Sequence, residues 1–294
     1  MQGSHSRGGA AMSLFRGART RLAALQLRIE PGQRDENLAR AAKLLSTARE
    51  READLACLPA TFATGLNFPT LRTDATTEDG PVVEFLAEQA RTLGMHIAAG
   101  VLLSSGRDVF DAAVLVGPGG DPLGWYHRAC VWAGESEYIS TGSPGEVIDT
   151  PVGRIGLQVS YDLRFPEASR QYLAQDADLI VCVANLFGPF SHPLRSLCRA
   201  RAADNECALV FASGVGENRF ANMTYVGRSM IVDGLVQDAR EDQDADILAE
   251  ADPGGQEAVI HADVHWRQRR KARAGLPFHD DLRSTWTTNH GGPA

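Results

Sequence analysis

Apolar residues along this chain come in two rhythms: short unbroken runs, and stretches in which they recur every three or four positions. Residues 20–27 form the first run and predict a strand. Pro31-Gly32 turns the chain, and between Asp35 and Arg51 the residues Leu38, Ala41, Ala42 and Leu45 fall on one face of a predicted helix. A second strand is predicted over 53–59, and a helix over 82–93 that Gly94 closes in the C-cap role. Strands follow over 96–103 and 109–116, the latter ended by Gly117-Pro118-Gly119-Gly120. Ile155, Leu157 and Val159 mark another strand, Tyr161-Asp162 breaks it, and Pro166-Glu167 opens a helix. Further strands are predicted over 179–184, 208–213, 230–233 and 258–263, with a helix over 192–205. The acidic stretch 238–246 reads as a mobile, solvated loop. Helices alternate with strands, many of the strands are apolar throughout, and no repeat or linker divides the chain. The fold class is therefore α/β, with sheets covered on at least one face.

Composition adds limits. A chain of 294 residues, 44% hydrophobic and 22% charged, can bury a core without disulfides or metals. The net charge is −8, and the one basic cluster, Arg267 to Arg273, predicts a solvated or interface face of a helix and not a nucleic-acid site. Cys57, Cys130, Cys182, Cys198 and Cys207 form no Cys-x-x-Cys pair, which predicts reduced thiols in a cytoplasmic protein. No run is long enough for a membrane span, and neither His nor Cys shows metal spacing, so no membrane, metal or cofactor is expected. Residues 1–19 read as a disordered extension or an expression remnant, with Met12 as a second candidate start, and 287–294 as a tail. The domain itself is expected over 20–286. Lys43 and Lys271 are the only lysines, so an arginine in place of a lysine can be compositional bias.

The strand ending at Val159 runs into a turn and then a helix. Such an elbow holds a side chain out over a cleft, and the residue at that point is Ser160. The run Tyr161-Asp-Leu-Arg-Phe-Pro-Glu167 closely resembles the nucleophile motif of the nitrilase superfamily of carbon–nitrogen hydrolases. Arg199 to Asn205 resembles the helix that follows the nucleophile, and Gly227 to Asp233 a late strand. The resemblance covers roughly residues 20–286. It implies a four-layer α-β-β-α sandwich that dimerises through its helical layer.

In that superfamily a cysteine attacks an amide or nitrile carbon, a glutamate moves protons, a lysine stabilises the oxyanion and a second glutamate supports them. Residue by residue, the resemblance places the cysteine at Ser160, the first glutamate at Ala60 in Leu58-Pro59-Ala60, and the lysine at Arg128 in Tyr126-His127-Arg128. The second glutamate falls at Glu135, with Glu137 as the neighbouring alternative. A His position after the lysine falls on Cys130. Alanine cannot carry a proton. Arginine keeps the charge but never releases a proton, and a serine hydroxyl without an aligned base is a poor nucleophile. Cys130 as a displaced nucleophile and His127 as a base are the remaining candidates for chemistry, while His192 and His265 read as surface or interface residues. An ion pair between Arg128 and Glu135 is expected to fill the site.

Two functions from different classes follow. One is a catalytically inactive family member, a pseudoenzyme, with a binding or scaffolding role. It would hold a small carboxamide or carboxylate with Arg128 as anion anchor, or pair as a homodimer, larger homo-oligomer or partner of an active paralogue. The other is an amidohydrolase with Ser160 as nucleophile, Arg128 as oxyanion donor and Glu135 or His127 as base, with acyl transfer to an amine as a variant of the same chemistry.

Overall fold

A computed structural model describes residues 19–188, 191–220, 222–235, 244–253, 255–278 and 281. The extension before residue 19, the tail after 286 and residues 238–243 of the acidic stretch lie outside the described residues.

In β7 (Gly153–Val159), Ile155, Leu157 and Val159 turn one way, while Gly156 and Gln158 turn the other. The first set meets Leu22 and Ala24 of β1 (Thr20–Arg28), Leu55 and Cys57 of β2 (Leu55–Cys57), and Ala98 of β3 (His96–Ser105) in one buried cluster. Leu179, Val181 and Val183 of β8 (Leu179–Ala184), with Ala208, Val210 and Ala212 of β9 (Ala208–Asn218), complete that cluster. This is the seam between two sheets packed face to face.

The alternate residues face helices, because side chains of a strand point to opposite sides in turn. Ala23, Leu25 and Leu27 of β1 meet α1 (Arg34–Glu50) and α3 (Pro81–Leu93) through Ala41, Leu45, Val82 and Leu86. Ile180, Cys182 and Ala184 of β8 meet α4 (Pro166–Ala174) and α5 (Leu194–Asp204) through Tyr172, Leu194, Cys198 and Ala202. The layers are therefore α-β-β-α, as the resemblance implied. A short helix α2 (Leu71–Asp74) sits beside them. Gly94 is left-handed at φ +60 and caps α3 as the sequence predicts.

The first sheet runs β5-β4-β3-β2-β1-β13, where β4 is Asp108–Val116, β5 Pro122–His127 and β13 Ala258–Val264. The second runs β6-β7-β8-β9, with β6 Ile148–Thr150, β10 (Met223–Val226) and β11 (Met230–Asp233) on β9, and β12 (Ile247–Glu250) on β11. The sheets join at one corner, where Leu27 and Arg28 pair in parallel with Gly214 and Val215. Four strands escape the sequence reading: β5, β6, β10 and β12. Each is short, and β5 begins at a proline and contains Gly124, so period-2 patterning is weak there.

The basic cluster differs from expectation. It lies on α6 (Trp266–Arg273), but only part of it is solvated. Arg269 is buried, forms an ion pair with Asp233 and donates to the Glu206 carbonyl at 3.2 Å. Arg270 forks onto Asp178 at 3.2 and 3.1 Å, and Arg273 donates to the Ala177 carbonyl at 3.0 Å. The arginines clamp the end of the chain onto the second sheet. The described end of the acidic stretch is likewise engaged and not merely solvated. Asp244 and Asp246 pair with Arg195 and Arg199 of α5. His192 and His265 are exposed.

Candidate active site

Three chain crossings meet at the carboxyl ends of β7 and β8 and the turn after β2, the end of such strands where α/β folds place their sites. Ser160 follows β7 directly and opens a 3-10 turn, Ser160–Arg164. Its φ is +45, left-handed for a non-glycine residue, and it is 5% exposed. The elbow read from the sequence is thus present and strained. Ser160 Oγ accepts a hydrogen bond from the backbone N–H of Asn185 at 3.1 Å.

Asn185 also ties the elbow to the turn that carries Ala60. Its Nδ2 donates to the Ala60 carbonyl and, at 3.0 Å, to Thr61 Oγ1. Thr61 too is left-handed, at φ +40. The turn is pressed against β3: a Cβ on Gly100 would lie 2.3 Å from the Ala60 Cα. Ala60 itself is buried, and its methyl group offers no polar atom.

Arg128 follows β5. Alternation along that strand puts Tyr126 on the inner face, where its hydroxyl donates to Asp162 Oδ2 at 2.8 Å, and His127 on the outer face, stacked on Phe110 with ring centroids 4.3 Å apart. Arg128 returns to the inner side and is 3% exposed. Its NH2 group donates to Glu135 Oε2 at 2.6 Å and its NH1 group lies 3.4 Å from Asp111 Oδ2. The predicted ion pair with Glu135 is present, and Asp111, which sequence reasoning missed, makes it a clamp of two carboxylates on one guanidinium. Glu135 also accepts from the Trp132 N–H at 3.3 Å, through the same oxygen. Glu137 is exposed, and of the two glutamates it is Glu135 that meets Arg128.

The electrostatics follow from burial. Desolvation, with Glu135 and Asp162 nearby, pushes the Asp111 carboxyl up to about 7 against the pull of Arg128. Burial opposes the charge on Arg128, but Asp111 and Glu135 outweigh it and hold the guanidinium above its ordinary value. Burial raises Asp162 as well, although it accepts from Cys130 N, Tyr126 Oη and Val159 N. Asp162 thereby knots the end of β5 to the elbow.

Two sequence candidates fall away from the reacting position. Cys130 lies beside Asp162, and burial together with that carboxylate raises its thiol, the wrong direction for a nucleophile. His127 occupies the outer face with Phe110, and burial lowers its imidazole. Arg128, Glu135 and Ser160 do come together, around a narrow cleft with Asn185, Trp132 and Tyr161 on its walls. About 20 Å³ of room remains in it for water-sized groups, enough for about one water. Asp111 and Asn185 were visible in the sequence only as polar residues within or directly after an apolar strand run.

Comparison with known proteins decides the family. The carbon–nitrogen hydrolase family matches residues 21–273. The chain belongs to that family. It is 32% identical over 202 residues to a nitrilase of Pyrococcus abyssi, spanning 67% of this chain and 75% of that protein. It is 25% identical over 265 residues to a 2-oxoglutaramate amidase of Bacillus subtilis, spanning 89% and 97%. Among solved structures, a carbon–nitrogen hydrolase superfamily protein of Xanthomonas campestris aligns with TM-score 0.78 and 25% identity over 90% of this chain and 97% of that one. A carbon–nitrogen hydrolase of Helicobacter pylori aligns with TM-score 0.82 at 19% identity, over 92% and 98%, and speaks to the fold alone.

Proposed function

We propose that this carbon–nitrogen hydrolase family member does not hydrolyse amides and acts instead by binding, through the old pocket or through other protein chains. One observation carries the reading. The cation in the same cleft as Ser160, Arg128, is bound by two carboxylates, and among the described residues no side chain accepts a hydrogen bond from Ser160 Oγ. The Oγ of Ser160 receives a hydrogen bond from Asn185 N–H, and Ala60 contributes only a backbone carbonyl. An oxyanion donor whose charge is already met by Glu135 and Asp111, although its Nε has no acceptor, offers little to developing charge. Loss of base and nucleophile strength together removes the unit on which turnover rests. The helical layers expected to form a homodimer, or a complex with an active paralogue, remain the candidate protein-binding faces. A cytoplasmic setting accords with five unpaired cysteines.

The alternative, an amidohydrolase using Ser160, draws support from the elbow itself. The left-handed φ at Ser160 is the kind of strain that reacting positions keep. Ammonia release from a panel of small carboxamides separates the two. The comparison uses wild type, Ser160→Ala and the triple variant Ala60→Glu/Arg128→Lys/Ser160→Cys. Silence of the wild type is expected. Wild-type turnover that disappears in Ser160→Ala would defeat the binding reading. Activity in the triple variant alone would support it by showing that a usable pocket lacks only its chemistry.

A further inference from the structure

The binding reading turns on the charge of Arg128, and the structure shows how Asp111 meets it. Asp111 and Arg128 stand opposite each other just past the paired residues Ala112 and His127 of β4 and β5. The Arg128 N–H donates to the Asp111 carbonyl at 2.9 Å. Opposite residues of a ladder share a face, so the Asp111 carboxylate meets NH1 at 3.4 Å while Glu135 takes NH2 at 2.6 Å. Arg128, Glu135 and Ser160 line the cleft and Asp111 does not. Asp111 therefore holds the guanidinium from behind the wall, 1% exposed and with no hydrogen-bond partner on Oδ1. A charge so deeply placed is little screened by salt.

The reach of these charges is visible on the groups around the elbow. Burial raises Asp162 and Cys130, and Arg128 pulls both down. On the Ser160 side the carboxylates are felt instead. Burial raises the Cys182 thiol, and Cys198, Asp162 and Asp111 raise it further, although the Ser160 backbone is hydrogen-bonded to it. Burial likewise raises the Tyr225 hydroxyl on the cleft wall, and Asp111 and Glu135 add to the rise. The charged groups that act on Asp111 itself are Arg128 after β5, Glu135 in the turn Ala133–Glu137 and Asp162 in the elbow. Burial and these groups together set it at about 7, so it is ionised above about pH 8, where a thiol titrates. A cation beside a thiol ordinarily lowers its pKa, and an ionised Asp111 works against that.

We infer that Asp111 is a further residue that keeps the cleft inactive: by holding Arg128 NH1 it offsets the cation's charge at position 160, so that even a cysteine placed there stays unactivated. This rests on the non-hydrolytic reading of the same site. The test is titration of the new thiol in the full-length Ser160→Cys variant. Thiolate absorbance in the ultraviolet is taken as a difference from the wild type, so that the five native cysteines cancel. The thiol is expected to titrate at or above its ordinary value of about 8.5. Ser160→Cys/Asp111→Asn, which removes the charge and keeps the shape, is expected to lower that midpoint by about one pH unit, or about tenfold more thiolate at a fixed pH below it. A midpoint that moves by less than about 0.3 unit would overturn the inference. So would a thiol already titrating below about 7.5 in Ser160→Cys, a result that needs no Asp111 variant to fold. Ammonia released from a small carboxamide by the wild type, and lost in Ser160→Ala, would overturn the underlying reading instead and leave the thiol result to stand by itself.

Discussion

Replacing Arg128 by methionine removes the guanidinium and keeps most of the side-chain stem, so little cavity opens. What it leaves behind is electrostatic. Asp111 is 1% exposed and Glu135 8% exposed, and they lose the cation that lay 3.4 and 2.6 Å away. Breaking a buried pair by removing one partner costs about 3–5 kcal/mol. For a chain of this size that corresponds to a fall of about 6–20 °C in Tm, at about 2–4 °C per kcal/mol. The loss should depend on pH. In the variant the orphaned carboxylates have raised folded-state affinity for protons. A group raised in the folded state contributes stability at low pH that is lost as pH rises through its folded value. Urea unfolding followed by tryptophan fluorescence should therefore show the full deficit near about pH 8. Near about pH 5 the deficit should be markedly smaller, changing by up to about 1.4 kcal/mol per pH unit for each carboxylate that takes up its proton. A deficit below about 1 kcal/mol near neutral pH, or one of equal size at both pH values, would refute the clamp as a buried, charged unit.

Three more outcomes follow from the same structure. In the wild type, Asp111 is raised by burial to about 7, so its contribution to stability declines between about pH 4 and 7, by at most about 4 kcal/mol. Asp111→Asn should flatten the urea midpoint across that window, and an unchanged slope would count against a raised Asp111. Gly156→Ala would bring a Cβ to 2.5 Å from the Tyr172 ring. It should cost about 1–3 kcal/mol in chemical denaturation, and a neutral result would mean that β7 and α4 are loosely packed. Arg269→Met breaks the buried contact with Asp233 and the bond to Glu206, and should cost about 2–4 kcal/mol. Limited proteolysis of that variant should cut within α6 before the sheets are attacked. Cleavage no faster than in the wild type would show that the arginine clamp does not hold the helix.

Much of this is legible in the amino-acid sequence. The three-to-four rhythm of Leu38, Ala41 and Leu45 marks α1, and the apolar runs at 20–27 and 179–184 mark the inner strands, because burial on both faces leaves a strand no polar alternation to show. Ser160 was found as the elbow because a strand that breaks at Tyr161-Asp162 and resumes as a helix at Pro166 must turn sharply between them. Arg128, Glu135 and Ala60 were found through resemblance, not periodicity. Asp111 was not found, since an aspartate within a strand run carries no signal until β4 is laid beside the end of β5.

Local sequence thus determined most of the elements, their order and the presence of a presented side chain at Ser160, because propensity, turn chemistry and hydrophobic period act over a few residues. Contacts between distant segments decided the rest. Asp111 reaches Arg128 across the β4–β5 pair, and Asn185, which holds the elbow at Ser160, reaches the turn at Ala60 across 125 residues. The arginines of α6 find Asp178 and Asp233 on the second sheet. Charge in a sequence has sign but no direction. Only the fold determines whether a run of arginines meets water or carboxylates, and whether a lone arginine in a cleft is free to bind an anion or is already bound.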